Sequence, residues 1–144
     1  MPFRILWTGS RDWINPRPIH RGLGNAVKRA GDQRPVLVHG ACGWPNLRGA
    51  DRIAHLWALS HGISVEPHPA EAFGPWPECG PLRNQHMVSL GADLCLAVIG
   101  PCTSSRCRRS GVHPSHGASG CADMAEGVGI TTYRYYHSDL RQSR

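Results

Sequence analysis

Phe3-Arg4-Ile5-Leu6-Trp7-Thr8-Gly9-Ser10-Arg11-Asp12 opens the chain with a short apolar run that stops at a glycine and turns polar. Such a run, bounded by turn residues, predicts a central β-strand. The next periodic segment, about 18–30, carries Ile19, Leu23, Ala26, Val27 and Ala30 at helical spacing and is closed by Gly31. A glycine after the last periodic residue is a common helix stop, because it adopts the left-handed conformation without steric cost. Pro35-Val36-Leu37-Val38-His39 is a second strand ended by Gly40, and Gly49-Ala50-Asp51 opens a second helix with Ile53, Ala54, Trp57 and Ala58 on its apolar face. Residues 63–66 form a third strand. A proline-rich loop over 67–80 follows, and Pro81 suits the first position of a helix reaching about Leu90. Residues 92–99 and 131–135 supply a fourth and a fifth strand, with a helix over 118–128 between them.

Alternation of strand and helix predicts an α/β fold: a five-stranded parallel sheet with helices on both faces, in three layers. Right-handed crossovers and an order of about 3-2-1-4-5 make it Rossmann-like, and place the switch of chain direction between strands one and four. Ligands of such sheets bind at that switch, beyond the carboxyl ends of the strands. At 144 residues the chain fits one domain over 1–137, followed by a polar tail over 138–144 expected to fray.

Composition narrows the function classes. No apolar run approaches the roughly 18 residues of a membrane helix. The start of the chain turns polar too soon for a secretory leader, so a cytoplasmic location is expected. The net charge of +6 is almost all arginine, Lys28 being the only lysine. Arginine forms two-pronged contacts with phosphate, so an anionic partner fits. A genome rich in arginine codons explains the charge equally well, since the arginines do not form one block.

Three segments fall at the predicted carboxyl ends. Thr8-Gly9-Ser10-Arg11 offers close backbone approach, a hydroxyl and a guanidinium, although turn chemistry alone also accounts for Gly-Ser. His39-Gly40 followed by Gly49-Ala50-Asp51 presents a helix N-terminus, which favours anions. Asp51 could instead complement the helix dipole, and His39 could be a satisfied strand-end histidine. Gly80-Pro81-Leu82-Arg83-Asn84 places an arginine in a first helical turn, an unfavourable position unless an anion is near.

Together these segments resemble the YspA-type (cpYpsA-related) branch of the SLOG superfamily, which includes the LOG phosphoribohydrolases and the Rossmann-like core of DprA. Gly117-Ala118-Ser119-Gly120-Cys121-Ala122-Asp123 looks like that superfamily's glycine-rich turn, with Ala118 and Cys121 replacing a glycine and a threonine. The resemblance implies a nucleotide-derived ligand held by Thr8, Gly9, Ser10, Arg11, His39, Gly40, Gly49, Ala50, Asp51, Arg83, Asn84, Gly117, Ser119 and Gly120. It further implies N-glycosidic hydrolysis by Arg83 and Asp123 as the alternative to simple binding or sensing. Asp123 is one methylene shorter than the glutamate of LOG enzymes. The resemblance also admits a homodimer formed through a sheet-flanking helix. DprA-like nucleic-acid binding is the least favoured reading, because the tryptophans do not interleave with arginines as a stacking platform would.

An insertion at about 101–117 departs from the superfamily pattern. Cys102, Cys107, His113, His116 and, as an alternate, Cys121 offer five thiol or imidazole ligands in a stretch almost without large apolar residues. Zinc takes four such ligands in a tetrahedron, and a metal would order a loop that has no core of its own. A structural zinc on Cys102, Cys107, His113 and His116 is therefore expected. A loop of free thiols and a redox-formed disulfide are the competing readings.

Overall fold

The computed structural model describes residues 1–142. Five strands, β1 (Phe3–Gly9), β2 (Pro35–His39), β3 (Ser64–Pro67), β4 (Leu94–Ile99) and β5 (Thr132–Tyr136), form one parallel sheet in the order β3-β2-β1-β4-β5. This is the expected order.

Side-chain alternation along β1 explains the three layers. Phe3, Ile5 and Trp7 face the side covered by α1 (Pro16–Ala30) and α2 (Gly49–Ser60), where Ile19, Leu23, Ala50, Ala54 and Ala58 complete a buried cluster. Leu6 faces the other side, with Val36, Val38 and Cys95, against Met87 and Val88 of α3 (Cys79–Ser89) and Cys121 and Ala125 of α4 (His116–Gly127). β4 is buried at every position, as a strand covered on both faces must be. Burial raises the Cys95 thiol to about 12, consistent with a small core residue rather than a reactive one.

Three boundaries differ from expectation. α3 starts at Cys79, so Pro81 is its third residue and Arg83 lies beyond the first turn. α4 starts at His116 behind Ser115, so residues 117–120 are helix and not a turn; Ala118, Cys121, Ala122 and Ala125 supply a buried helical stripe. The tail is not frayed over 138–142. It forms α5 (Ser138–Gln142), with Leu140 buried beside Ile99 and Ala97. Residues 143–144 lie outside the described part of the chain.

Candidate functional site

A crevice of about 230 Å³ opens at the carboxyl ends of β1 and β4, the switch point of the sheet. Thr8, Gly9, Ser10, Arg11 and Asp12 enter it from β1, Gly40 and Cys42 from the turn after β2, and Asp51 from α2. Arg83, Asn84 and Met87 come from α3. Residues 101–104 and 115–118 close the remaining side.

Each wall has a local cause. Ser10 leaves β1 with its N–H on the Val98 carbonyl. Its hydroxyl accepts the Gly100 N–H at 2.7 Å and shares a hydrogen bond of 2.6 Å with the Ser115 hydroxyl. That one side chain ties the ends of β1 and β4 to the approach of α4. A Cβ at Gly40 would lie 2.8 Å from the Arg83 guanidinium carbon, so any side chain there would displace the arginine tip. The guanidinium lies across this bare backbone, donating to the Gly40 and His68 carbonyls and, at 2.7 Å, to the Asn84 side-chain oxygen. An anion is therefore not needed to explain Arg83, although its charge still faces the crevice.

Asp51 is a buried carboxylate in the floor. It accepts the Cys42 N–H at 3.0 Å, and burial raises it to about 6 against the opposing pull of that bond and of Arg83. Beside it, the buried Nε1 of Trp7 makes no close hydrogen bond, but its N–H stabilises the Asp51 carboxylate and helps to hold that carboxyl down.

Several expected site residues stand behind the crevice instead of lining it. Gly49, at φ +63°, packs so tightly under β1 that a Cβ would fall 2.2 Å from the Arg11 carbonyl oxygen. The Ala50 N–H is consumed by the Ser10 carbonyl at 3.1 Å, so this helix start holds β1 and not an anion. His39 is fully buried. Its Nδ1 accepts the Ala41 N–H at 3.0 Å, which leaves the ring proton on Nε2 to donate to His55 Nδ1 at 2.9 Å. Burial depresses His39 to about 3, so it is a neutral brace for the turn that carries Gly40. Ser119 turns its hydroxyl back onto the Ser115 carbonyl, and Gly120 lies within α4; neither lines the crevice, whereas Gly117 does.

The expected pairing of Arg83 with Asp123 is not present. Asp123 sits further along α4, is 74% exposed, and pairs with Arg134 of β5 at 3.0 Å. Glu126 joins the same arginine. Helical geometry turns both carboxylates toward the sheet edge, away from the crevice.

Asp12, Thr103, Ser104 and Ser115 line the crevice and were missed as candidates. Thr103 Oγ1 donates to Asp12 at 2.5 Å, which with Arg48 at 2.6 Å holds the Asp12 carboxyl below its usual range. At the outer edge the exposed Trp76 ring lies 5.6 Å from the Arg11 guanidinium.

Next to the crevice, one ligand atom each from Cys102, Cys107, His113 and His116 lies within 4.8 Å of the other three, close enough to hold a metal ion. Cys121 is outside this group. It is buried in the core between sheet and α4, and burial lifts its thiol to about 11. All six cysteines are free thiols. No helix among the described residues is long and apolar enough to cross a membrane.

The model of the YspA, cpYpsA-related SLOG family matches residues 3–72, the stretch that carries Thr8 to Arg11, His39-Gly40 and Gly49 to Asp51. Arg83 and the Cys/His group lie beyond it. The Gene 61 protein of Mycobacterium phage D29 is 38% identical over 99 residues, covering 65% of this chain and 74% of that protein. No solved structure matches the chain. With a Rossmann-like sheet, a switch-point crevice and a relative of this closeness, the chain belongs to the YspA, cpYpsA-related SLOG family.

Proposed function

We propose that this domain captures a phosphate-bearing, nucleotide-derived small molecule in the switch-point crevice. One observation carries the reading: segments far apart in sequence converge there with donors facing the crevice, namely Arg11, Arg83 and the one hydroxyl proton that the Ser10–Ser115 bond leaves free. Family membership favours the same chemistry. At about 230 Å³ the crevice is smaller than the roughly 300–1,000 Å³ of a pocket that swallows a drug-sized ligand. A sugar phosphate fits inside, with the base at the mouth beside Trp76. Zinc on Cys102, Cys107, His113 and His116 plays a structural part, since four protein ligands leave no open position. A reducing compartment such as the cytoplasm keeps those thiols available.

Thermal-shift and calorimetric titration with AMP, ribose 5-phosphate and inorganic phosphate tests the reading. AMP is expected to raise Tm in a concentration-dependent way. Arg83→Ala, which removes a charged donor, is expected to weaken AMP by roughly 30-fold or more, about 2 kcal/mol, with the fold intact. Absence of any shift with all three compounds would sink the proposal.

Asp51 favours a second reading, N-glycosidic hydrolysis. A crevice carboxyl that titrates near 6 is suited to proton transfer, and Arg83 would position the substrate. Asp51, not Asp123, would then be the catalytic carboxyl. Release of free adenine from AMP, abolished in Asp51→Asn while AMP still binds, is the expected result; no release by the unmodified chain removes the hydrolytic reading and leaves capture.

A further inference from the structure

The stretch from Pro101 to Ser115 is a strap that forms one side of the crevice and has almost nothing to fold around. Its one large apolar residue, Val112, is exposed, and the strap's one buried polar side chain is His113. Its base is a narrow antiparallel neck: Pro101 bridges Pro114, the Cys102 N–H donates to the His113 carbonyl at 2.8 Å, and the Ser115 N–H donates to the Gly100 carbonyl at 2.9 Å. Beyond the neck it is fastened to the turn after β1 by Thr103 on Asp12, a contact exposed to solvent and worth little alone.

The Cys/His group sits where this strap needs an anchor. Cys107 Sγ is 3.4 Å from His113 Nε2 and 3.3 Å from His116 Nε2. In a zinc tetrahedron a sulfur and a nitrogen ligand stand about 3.6 Å apart, so the approach is near that of an assembled site. His113 Nδ1 lies 2.9 Å from the Gly111 carbonyl and donates to it, which leaves Nε2 a bare lone pair aimed at the group. A second hydrogen bond of this kind is what orients metal-bound histidines. One thiol proton on Cys107 can satisfy only one of the two facing imidazoles, whereas a cation satisfies all four ligands at once.

The ligands also straddle the crevice wall. Cys102 and His116 line it, together with Thr103, Ser104 and Gly117. His116 is the first residue of α4, so the ion would pin the helix start, whose residues 116–118 line the crevice. Cys107, by contrast, is a ligand that does not line the crevice.

We propose that zinc bound by Cys102, Cys107, His113 and His116 is the element that orders this wall, so that metal binding and ligand binding are positively linked. The linkage rests on the reading of the crevice as the ligand site; the ordering of the wall does not. Two thiolates neutralise the ion, so the coupling acts through order and not through added positive charge. Linkage is reciprocal, so the ligand would tighten zinc by the same factor.

The test uses the full chain, purified under reducing conditions, with zinc alone and then with AMP. About one zinc per chain is expected by elemental analysis, falling below about a tenth in Cys107→Ser, which removes a ligand without touching the crevice lining. Chelation should speed amide exchange over 102–118 about tenfold or more and leave β1, β2 and β4 unchanged, and should weaken AMP about tenfold, within the usual range of coupling. Failure to take up stoichiometric zinc overturns the proposal, and so does uptake that changes neither exchange over 102–118 nor AMP affinity. If AMP binds neither form, the ligand reading of the crevice has failed, and the exchange measurement alone decides whether zinc orders the wall. Should Cys107→Ser expose the strands to exchange, the chelated native chain replaces it as the metal-free comparison.

Discussion

On one side of the crevice Thr8, Gly9 and Ser10 form and follow the end of a strand whose side chains Ile5, Leu6 and Trp7 are buried in the two main apolar clusters. On the other side residues 101–115 bury a single histidine and hang from a two-rung neck and polar contacts. The two walls face the same crevice, yet the first is ordered by the hydrophobic effect and the second by donor and acceptor chemistry. A site built this way has a fixed half, present whenever the domain is folded, and a conditional half that answers to solution conditions. Family membership is matched on the fixed half.

Substitutions in the two halves should therefore separate stability from order. The largest effect is expected from Leu37→Ala, which empties a fully buried position between β1 and α2. It should cost about 3 kcal/mol in urea denaturation, with or without zinc. A cost that disappeared on chelation would break the distinction between the walls.

A pH-dependent effect, smaller over any single pH unit, comes from the braces under the fixed half. His39 titrates near 6.5 unfolded and about 3 folded, so the unfolded chain binds the extra proton. Its contribution is complete above about pH 6.5 and is lost as pH falls toward 3, at up to about 1.4 kcal/mol per pH unit. Asp51 runs the other way: raised from 3.8 to about 6, its contribution is complete below 3.8 and is lost as pH rises through 6. The native chain measured against His39→Gln should lose its advantage on acidification. Against Asp51→Asn it should lose ground on moving from pH 4 to 7. A flat difference in either series would mean that the residue is not held as described.

The smallest effect is expected at Asp123→Asn. The carboxylate is mostly exposed and shares Arg134 with Glu126, so stability should change by less than about 0.5 kcal/mol and AMP affinity not at all. A large loss of affinity would return Asp123 to the site and undo the account of α4.

β1, β2 and β4 could be read from the chain because each is a short apolar run closed by a glycine, a pattern that local chemistry sets; β3 is marked by Pro67 and β5 by its Thr and Tyr residues. Their order followed from handedness rules and not from particular residues. Parts of the site were harder. Pro81 signals a helix start, but Cys79-Gly80 can also enter a helix, and the shift moved Arg83 out of the first turn. Glycines at 117 and 120 suggest a turn, yet the buried alanine and cysteine stripe outweighs their low propensity. Asp12, Thr103 and Ser115 become visible only once two chain segments about 90 residues apart are brought together. The Cys/His group was apparent in advance because its donors are distinctive and close in sequence, and Cys121 dropped out only when its helix turned it into the core.

The approach of β1 to α2 leaves room for one methyl group where two residues meet. A Cβ on Gly9 would stand 2.3 Å from that of Ala50, and Gly9 has no left-handed backbone to forbid a side chain. Positions 9 and 50 thus share a single carbon's worth of space. Exchanging them, Gly9→Ala with Ala50→Gly, should be far better tolerated than Gly9→Ala alone, and a relative with a side chain at position 9 is expected to carry glycine at position 50.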